Sequence, residues 1–307
     1  MKPYNRFVIC LKAVRAQFFS ASLIPILLAA VLAQRDGASF LQWNLLPLFA
    51  LAVLLMHSGT NLINDYYDFR QGVDKAGTFG SGCALVEGLI SPRQARIWAY
   101  LCFLAAFVSG LFLAERRGPL LLWMGLAGFL GGYGYTGKPF GLKYFGLGEF
   151  LVFPLMGPLL VLSAYFTLTG RTPLNVVYAA LPVGLLVTAI LHSNNLRDIV
   201  SDREAGIRTM ALSLGFQGAK AEYYFLVFGA YLSIPALWFF RIVPAAAFLT
   251  WLTLPAAAAN AASVRAAAAE NPAGLARIDI RTAGLHLVFG MLYILSFYTA
   301  AALRAHS

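Results

Sequence analysis

The chain predicts an all-α fold: a multi-pass transmembrane helical bundle of about nine helices with its N-terminus on the cytoplasmic side. Three observations carry that prediction. The 307 residues are 60% hydrophobic and only 12% charged, with a mean hydropathy of +0.71, far from the composition of soluble domains. Apolar runs recur at the length needed to cross a bilayer, roughly 20 residues each. Basic residues concentrate in alternate connections between those runs. Little chain remains for a separate soluble domain, so a single transmembrane domain over residues 1–307 must hold any chemistry in the bundle or its loops.

The runs fall at 18–33, 43–64, 97–114, 119–136, 147–168, 174–196, 223–240, 242–262 and 283–303. The first has the basic front of a signal peptide, but no cleavage context precedes Gln34, and it reads as an uncleaved helix. Ahead of it Phe7, Val8, Leu11 and Val14 alternate helically with Lys12 and Arg15, as in a helix lying at the membrane interface. With the N-terminus inside, seventeen of the 23 Lys and Arg residues fall on the inner side and six on the outer. That bias puts any active site on the inner face, and a first helix that inserts the chain without an organellar targeting signal suggests a cytoplasmic (inner) membrane. The formal charge of +10 is scattered rather than gathered into a stripe, so lipid and not nucleic acid is the expected surrounding. Cys10, Cys83 and Cys102 have no metal-binding spacing and form no disulfide framework.

Only 13 acidic residues exist, and six lie in two inner segments. The first runs from Asn61 through Asn64, Asp65 and Asp68 to Asp74; the second runs from Asn194 and Asn195 through Asp198 to Asp202 and Glu204. On a helix, Asn61, Asp65 and Asp68 share one face, as do Asn194, Asp198 and Asp202. Like charges so placed repel, and acids at a membrane face need a cation. Carboxylate and amide oxygens without nearby Cys or His suit Mg²⁺, with phosphate completing the coordination. Two such clusters facing one another could hold two Mg²⁺ ions that clamp a diphosphate leaving group. Arg70, Lys75, Lys138, Arg197, Arg203 and Arg208 are the candidates to contact its oxygens.

At these residues the chain resembles the UbiA superfamily of intramembrane aromatic prenyltransferases. Asn61 to Asp74, with its last two acids six positions apart and Gly72 two before the end, is similar to the first motif of the 1,4-dihydroxy-2-naphthoate branch. Tyr135 to Lys138 and Pro139, Tyr144 to Glu149, and Asn194 to Asp202 followed by Arg208 and Thr209 extend the likeness, which spans about 15–215. Arg15 with Ser20, Ser22 and Pro25 looks like the family's opening. Departures fall at Ile207, at Lys138 and in the loop from Thr78 to Glu87; these bear on the acceptor more than on the reaction.

The resemblance implies Mg²⁺-dependent transfer of a polyprenyl group from polyprenyl diphosphate to an aromatic acceptor. That acceptor would be 1,4-dihydroxy-2-naphthoate, in menaquinone biosynthesis, with 4-hydroxybenzoate the alternative. It implies Asp65, Asp68, Asp198 and Asp202 as metal ligands and Asn61, Asn64, Asp74, Asn194 and Asn195 as ligands or their supports. Tyr66, Tyr67 and Tyr135 would face the allylic cation. Glu149, isolated among apolar residues, is the candidate base or acceptor contact, whereas His57 and His192 read as packed, hydrogen-bonded histidines. An ion-coupled transporter is the rival from another class, but it expects acids near mid-bilayer.

Overall fold

The computed structural model describes residues 5–37, 42–74, 84–268 and 272–305. Among these the chain is helix and loop without a β-strand. A short helix α1 (Arg6–Ala13), capped by the Asn5 side chain, leads through a turn to α2 (Ser20–Arg35). Its exposed Phe7, Val8 and Leu11 form an apolar face outside the bundle. Helix α3 (Leu46–Gln71) follows, then α4 (Pro92–Arg117), opened by a reciprocal Ser91 and Gln94 capping box, and α5 (Leu120–Thr136). The next crossing is broken. Helix α6 (Gly148–Pro154) passes through a widened turn at Leu155–Leu159 into α7 (Leu160–Thr169). Pro154 and Pro158 lack the N–H groups a regular ladder needs there.

The second half holds α8 (Leu174–Ala179), α9 (Leu181–Arg197), α10 (Ile199–Glu204) and α11 (Met210–Phe239), whose backbone leaves helical geometry at Gly215. A tight helical stretch Ala245–Thr253, α12 (Leu254–Ala266) and α13 (Ile278–Ala305) complete it.

Among the described residues, six segments are long and apolar enough to cross a membrane: Ala16–Arg35, Trp43–Gln71, Pro92–Arg117, Gly148–Thr169, Ala245–Ala266 and Ile278–Thr299. The chain is therefore a multi-pass membrane protein. The other three apolar runs are helical too, in α5, α8 with α9, and α11.

Large apolar side chains such as Leu104, Phe107, Leu232 and Phe239 point outward, the arrangement a lipid surrounding permits. Inside, α2, α9 and α13 pack together, with Leu28, Leu32 and Phe289 fully buried. Small residues let backbones approach: a Cβ on Gly157 would stand 2.7 Å from the Gly184 Cα, so the broken crossing lies directly on α9. That contact brings Glu149 of α6 against the end of α9.

Candidate active site

A cavity of about 360 Å³ runs into the bundle between α2, α3, α5, the broken α6 and α7 crossing, and α9. Its inner part is apolar, with Phe49, Met56, Met124, Leu155 and Leu159 among its walls, and Gly125, Gly128, Gly131 and Gly132 keep the α5 side open. Its mouth is polar. There Asn61, Asn64, Asp68 and Asp74 from the first acidic segment face Asn194, Asn195, Asp198 and Asp202 from the second, with Arg15, Tyr135, Lys143 and Arg197 beside them.

Local structure explains each placement. Helix α3 runs unbroken to Gln71, and its cavity face is centred on His57, Asn61, Asn64 and Asp68. Asp65 lies about 100° around the helix from Asn64 and is absent from the cavity wall; it pairs with Arg15 at 2.5 Å. Of the stripe expected along Asn61, Asp65 and Asp68, the first and last thus line the cavity and Asp65 does not. Gly72 then adopts φ 71°, the left-handed form that ends a helix cheaply. The amides of Val73 and Asp74 fold back onto the Asp68 carbonyl, which returns Asp74 to the mouth. In the second segment the helix breaks at Asp198 (φ −91°, ψ 7°) and resumes as α10. The i to i−4 bonds through Asp198 and Asp202 persist, so Asn194, Asp198 and Asp202 keep one face.

The cations at the mouth are not all those expected. Lys143, from the loop between α5 and α6, donates to Asp68 Oδ2 at 2.6 Å and to Asn64 Oδ1 at 3.3 Å, while Tyr144 donates to Asp68 Oδ1 at 2.8 Å. Burial opposes the charge on Lys143, but Asp68 outweighs it and holds the ammonium above the ordinary lysine range. Lys138 is exposed beyond α5, and Arg70, Arg203 and Arg208 are exposed as well; none of these four lines the cavity. Lys75 lies outside the described residues. Arg197 does line it, 5% exposed, with its guanidinium spent on Asp198 (2.9 and 2.7 Å) and on Asp279 (2.7 Å).

Tyr135 lines the cavity. Tyr66 and Tyr67 do not: they pack edge to face on each other, and Arg96 stands 5.6 Å over the Tyr66 ring. Glu149, which the sequence reads as isolated among apolar residues, is buried outside the cavity wall with three polar neighbours. His192 Nδ1 stands 2.9 Å from its Oε1, Asn195 Nδ2 donates to the same oxygen at 2.8 Å, and Glu222 Oε2 lies 3.3 Å from His192 Nδ1. His57, expected to be packed and hydrogen-bonded, meets Ser22 Oγ at 2.8 Å and also borders the cavity.

Sequence reasoning missed Lys143, Tyr144, Asp279 and Glu222. The first two stood within the stretch from Tyr135 to Glu149, where Lys143 read as an inner-face anchor. Asp279 sits between Arg277 and Arg281 and reads as a local pair.

Charge at the mouth is unbalanced. Among the described residues, Asp68, Asp74, Asp198 and Asp202 at the wall, with Asp65 and Asp279 behind it, stand against Arg15, Lys143 and Arg197, a formal excess of three negative charges. Asp74 Oδ2 is buried without a hydrogen-bond partner among the described residues. Burial, then the neighbouring Asp68, pushes Asp74 up to about 6; burial pushes Asp202 up to about 7, against the pull of Lys143. A set of oxygen donors with surplus negative charge and an orphaned carboxylate oxygen fits a hard divalent cation.

The description that fits this chain by sequence is the UbiA prenyltransferase family, whose model matches residues 22–279. The chain belongs to that family. Human UbiA prenyltransferase domain-containing protein 1 is 35% identical over 295 residues, covering 94% of this chain and 83% of that protein. The 1,4-dihydroxy-2-naphthoate octaprenyltransferase of Bacillus subtilis is 31% identical over 240 residues, covering 78% and 74%. Among solved structures, a UbiA homologue from Aeropyrum pernix K1 superposes with a TM-score of 0.65 at 17% identity, covering 94% of this chain and 98% of that one. A UbiA homologue from Archaeoglobus fulgidus bound to GPP and Mg²⁺ gives 0.58 at 15% identity, covering 94% and 99%. These UbiA structures share the fold, and the family is one of prenyl-transferring enzymes.

Proposed function

We propose that this UbiA-family protein transfers a polyprenyl group from polyprenyl diphosphate to an aromatic acceptor, with 1,4-dihydroxy-2-naphthoate as that acceptor, in menaquinone biosynthesis. The observation that carries the reading is the shape of the cavity: both acidic segments and Lys143 meet at its mouth, and the remainder is apolar. A molecule with an anionic head and a hydrocarbon tail matches that division. The naphthoate choice rests on the first acidic motif and on the Bacillus subtilis relative, a 1,4-dihydroxy-2-naphthoate octaprenyltransferase.

Asp68, Asp74, Asp198 and Asp202, with the amide oxygens of Asn61, Asn64, Asn194 and Asn195, would hold Mg²⁺, two ions in our reading. Mg²⁺ bound there supplies neutralisation of the diphosphate as it leaves. Asp65 acts through Arg15, which its carboxylate holds at the cavity wall. Arg15 and Lys143 meet phosphate oxygens. Arg197, held between Asp198 and Asp279, orients Asp198. The prenyl C1–O bond breaks with its electron pair going to the diphosphate, and the acceptor ring carbon forms the new C–C bond. With the naphthoate, the carboxylate on that ring carbon leaves as carbon dioxide. Tyr135 borders the space where the allylic charge develops, and an aromatic face stabilises such a cation.

We further infer nine crossings, the three shorter apolar helices included, within one prenyltransferase domain. The N-terminus would lie on the cytoplasmic side of a cytoplasmic membrane, with the cavity mouth facing the same side. Incubation in detergent with Mg²⁺, a polyprenyl diphosphate and a panel of aromatic acceptors tests the function by mass spectrometry. A prenylated naphthoquinol that disappears with EDTA is expected; product from 4-hydroxybenzoate instead would overturn the acceptor assignment.

A further inference from the structure

Glu149, His192 and Glu222 form a buried group of ionisable side chains just behind the cavity wall, drawn from α6, α9 and α11. His192 is fully buried and Glu149 is 4% exposed. Burying such groups is costly unless each finds a partner, and here the partners run in one direction. His192 Nε2 stands 2.7 Å from the Ala219 carbonyl. A carbonyl only accepts, so Nε2 carries a proton and the ring is fixed in orientation. Its Nδ1 faces Glu149 Oε1 at 2.9 Å and Glu222 Oε2 at 3.3 Å. Glu149 Oε1 also receives the Asn195 amide nitrogen at 2.8 Å. The nitrogen of the Asn195 amide, and not its oxygen, is thus the atom turned toward Glu149.

Asn195 is 6% exposed and lines the cavity mouth. With its nitrogen bound behind the wall, its oxygen is the polar atom left for the cavity. The opposite orientation would present an N–H₂ group to a cation, which repels it. We propose that Glu149 and His192 are positioning residues for the cation site, holding Asn195 with its carbonyl oxygen presented to the metal. This rests on the reading of the mouth as a Mg²⁺ site. The chain supplies what metal ligands commonly require, an outer partner that fixes the orientation of a neutral donor.

Purified protein in detergent, titrated with Mn²⁺ and followed by electron paramagnetic resonance, reads the site without turnover. Glu149→Gln can both donate and accept, which frees Asn195 to turn. Mn²⁺ Kd should weaken by about tenfold, within the range for loss of an outer partner. Asn195→Asp has two equivalent oxygens and needs no orienting, so in that background Glu149→Gln should change Kd by less than about twofold. His192→Asn, which keeps a donor toward Glu149, should bind Mn²⁺ like the parent, whereas His192→Leu should repeat the loss; this pair reads the same link if Glu149→Gln does not fold. Equal loss in both Asn195 backgrounds, or no loss in either, would overturn the assignment. So would one zinc ion per chain, lost in His192→Leu, since the group would then be a metal site of its own. Failure of the parent protein to bind Mn²⁺ would instead overturn the cation-site reading on which this inference stands.

Discussion

Lys143 Nζ stands 2.6 Å from Asp68 Oδ2, so a loop lysine closes on a carboxylate at the end of a membrane helix 75 residues earlier. The pair stitches the loop between α5 and α6 to the mouth of the cavity, and Tyr144 on the same turn takes the other oxygen of Asp68. If diphosphate enters here, this is the ammonium it meets.

Lys143→Met should therefore lower kcat for prenyl transfer by about 10²-fold or more, the scale for removing one preorganised charge from a transition state. Lys138→Met, altering an exposed residue outside the cavity wall, should stay within about twofold. Steady-state transfer rates for the two variants check this; similar losses in both would put the diphosphate elsewhere.

Arg197 is buried between Asp198 and Asp279. Removing the shared cation leaves two carboxylates uncompensated, at about 3–5 kcal/mol for a broken buried pair. Arg197→Met should lower the unfolding temperature markedly, and Asp279→Asn added to it should cost much less than it does alone. Additive losses in a detergent thermal-melt series would show that the three groups do not act together.

The acidic mouth also sets a pH dependence. Asp74 at about 6 and Asp202 at about 7 bind protons more tightly in the folded protein than the ordinary carboxylate value of 3.8. Their protonated forms favour the metal-free fold below those values, and that contribution is lost as pH rises through 6 to 7. The unfolding temperature of the metal-free protein should fall between pH 5 and pH 8, while Mn²⁺ affinity rises as protons stop competing. A melting temperature independent of pH across that window, with flat Mn²⁺ affinity, would contradict the charge assignment.

Gly128 lines the cavity, and a Cβ there meets nothing within 4 Å. Gly128→Phe should fill the apolar end and shift preference toward shorter prenyl diphosphates, with at least tenfold loss on the longest donor. Competition between donors of different length, read by product mass, tests it; an unchanged ratio would place the tail outside this cavity.

Much of this architecture was legible because the bilayer imposes length and polarity on each helix. Residues 43–64 had to be helical whatever their partners, and the structure places helix throughout that segment. The acidic segments were legible as a site because acids are so scarce elsewhere. Rotation was less so: an ideal wheel groups Asp65 with Asn61 and Asp68 but does not say which side of the stripe faces the cavity, and Arg15 drew Asp65 aside. Glu149 read as isolated because its partners come from α9 and α11, which only the packing of the folded chain brings beside α6. Lys143 was counted with the inner-face anchors, since composition cannot separate a lysine that faces lipid headgroups from one folded back on Asp68.

The most direct test of the central claim is product analysis with the parent protein and with Asp68→Asn and Asp202→Asn, each given Mg²⁺, a polyprenyl diphosphate and 1,4-dihydroxy-2-naphthoate. A prenylated, decarboxylated product from the parent, absent with EDTA and lost in both variants while they remain folded, is the result expected. Intact diphosphate recovered from the parent, or full activity in both variants, would contradict a metal-clamped prenyl transfer to this acceptor at this cavity.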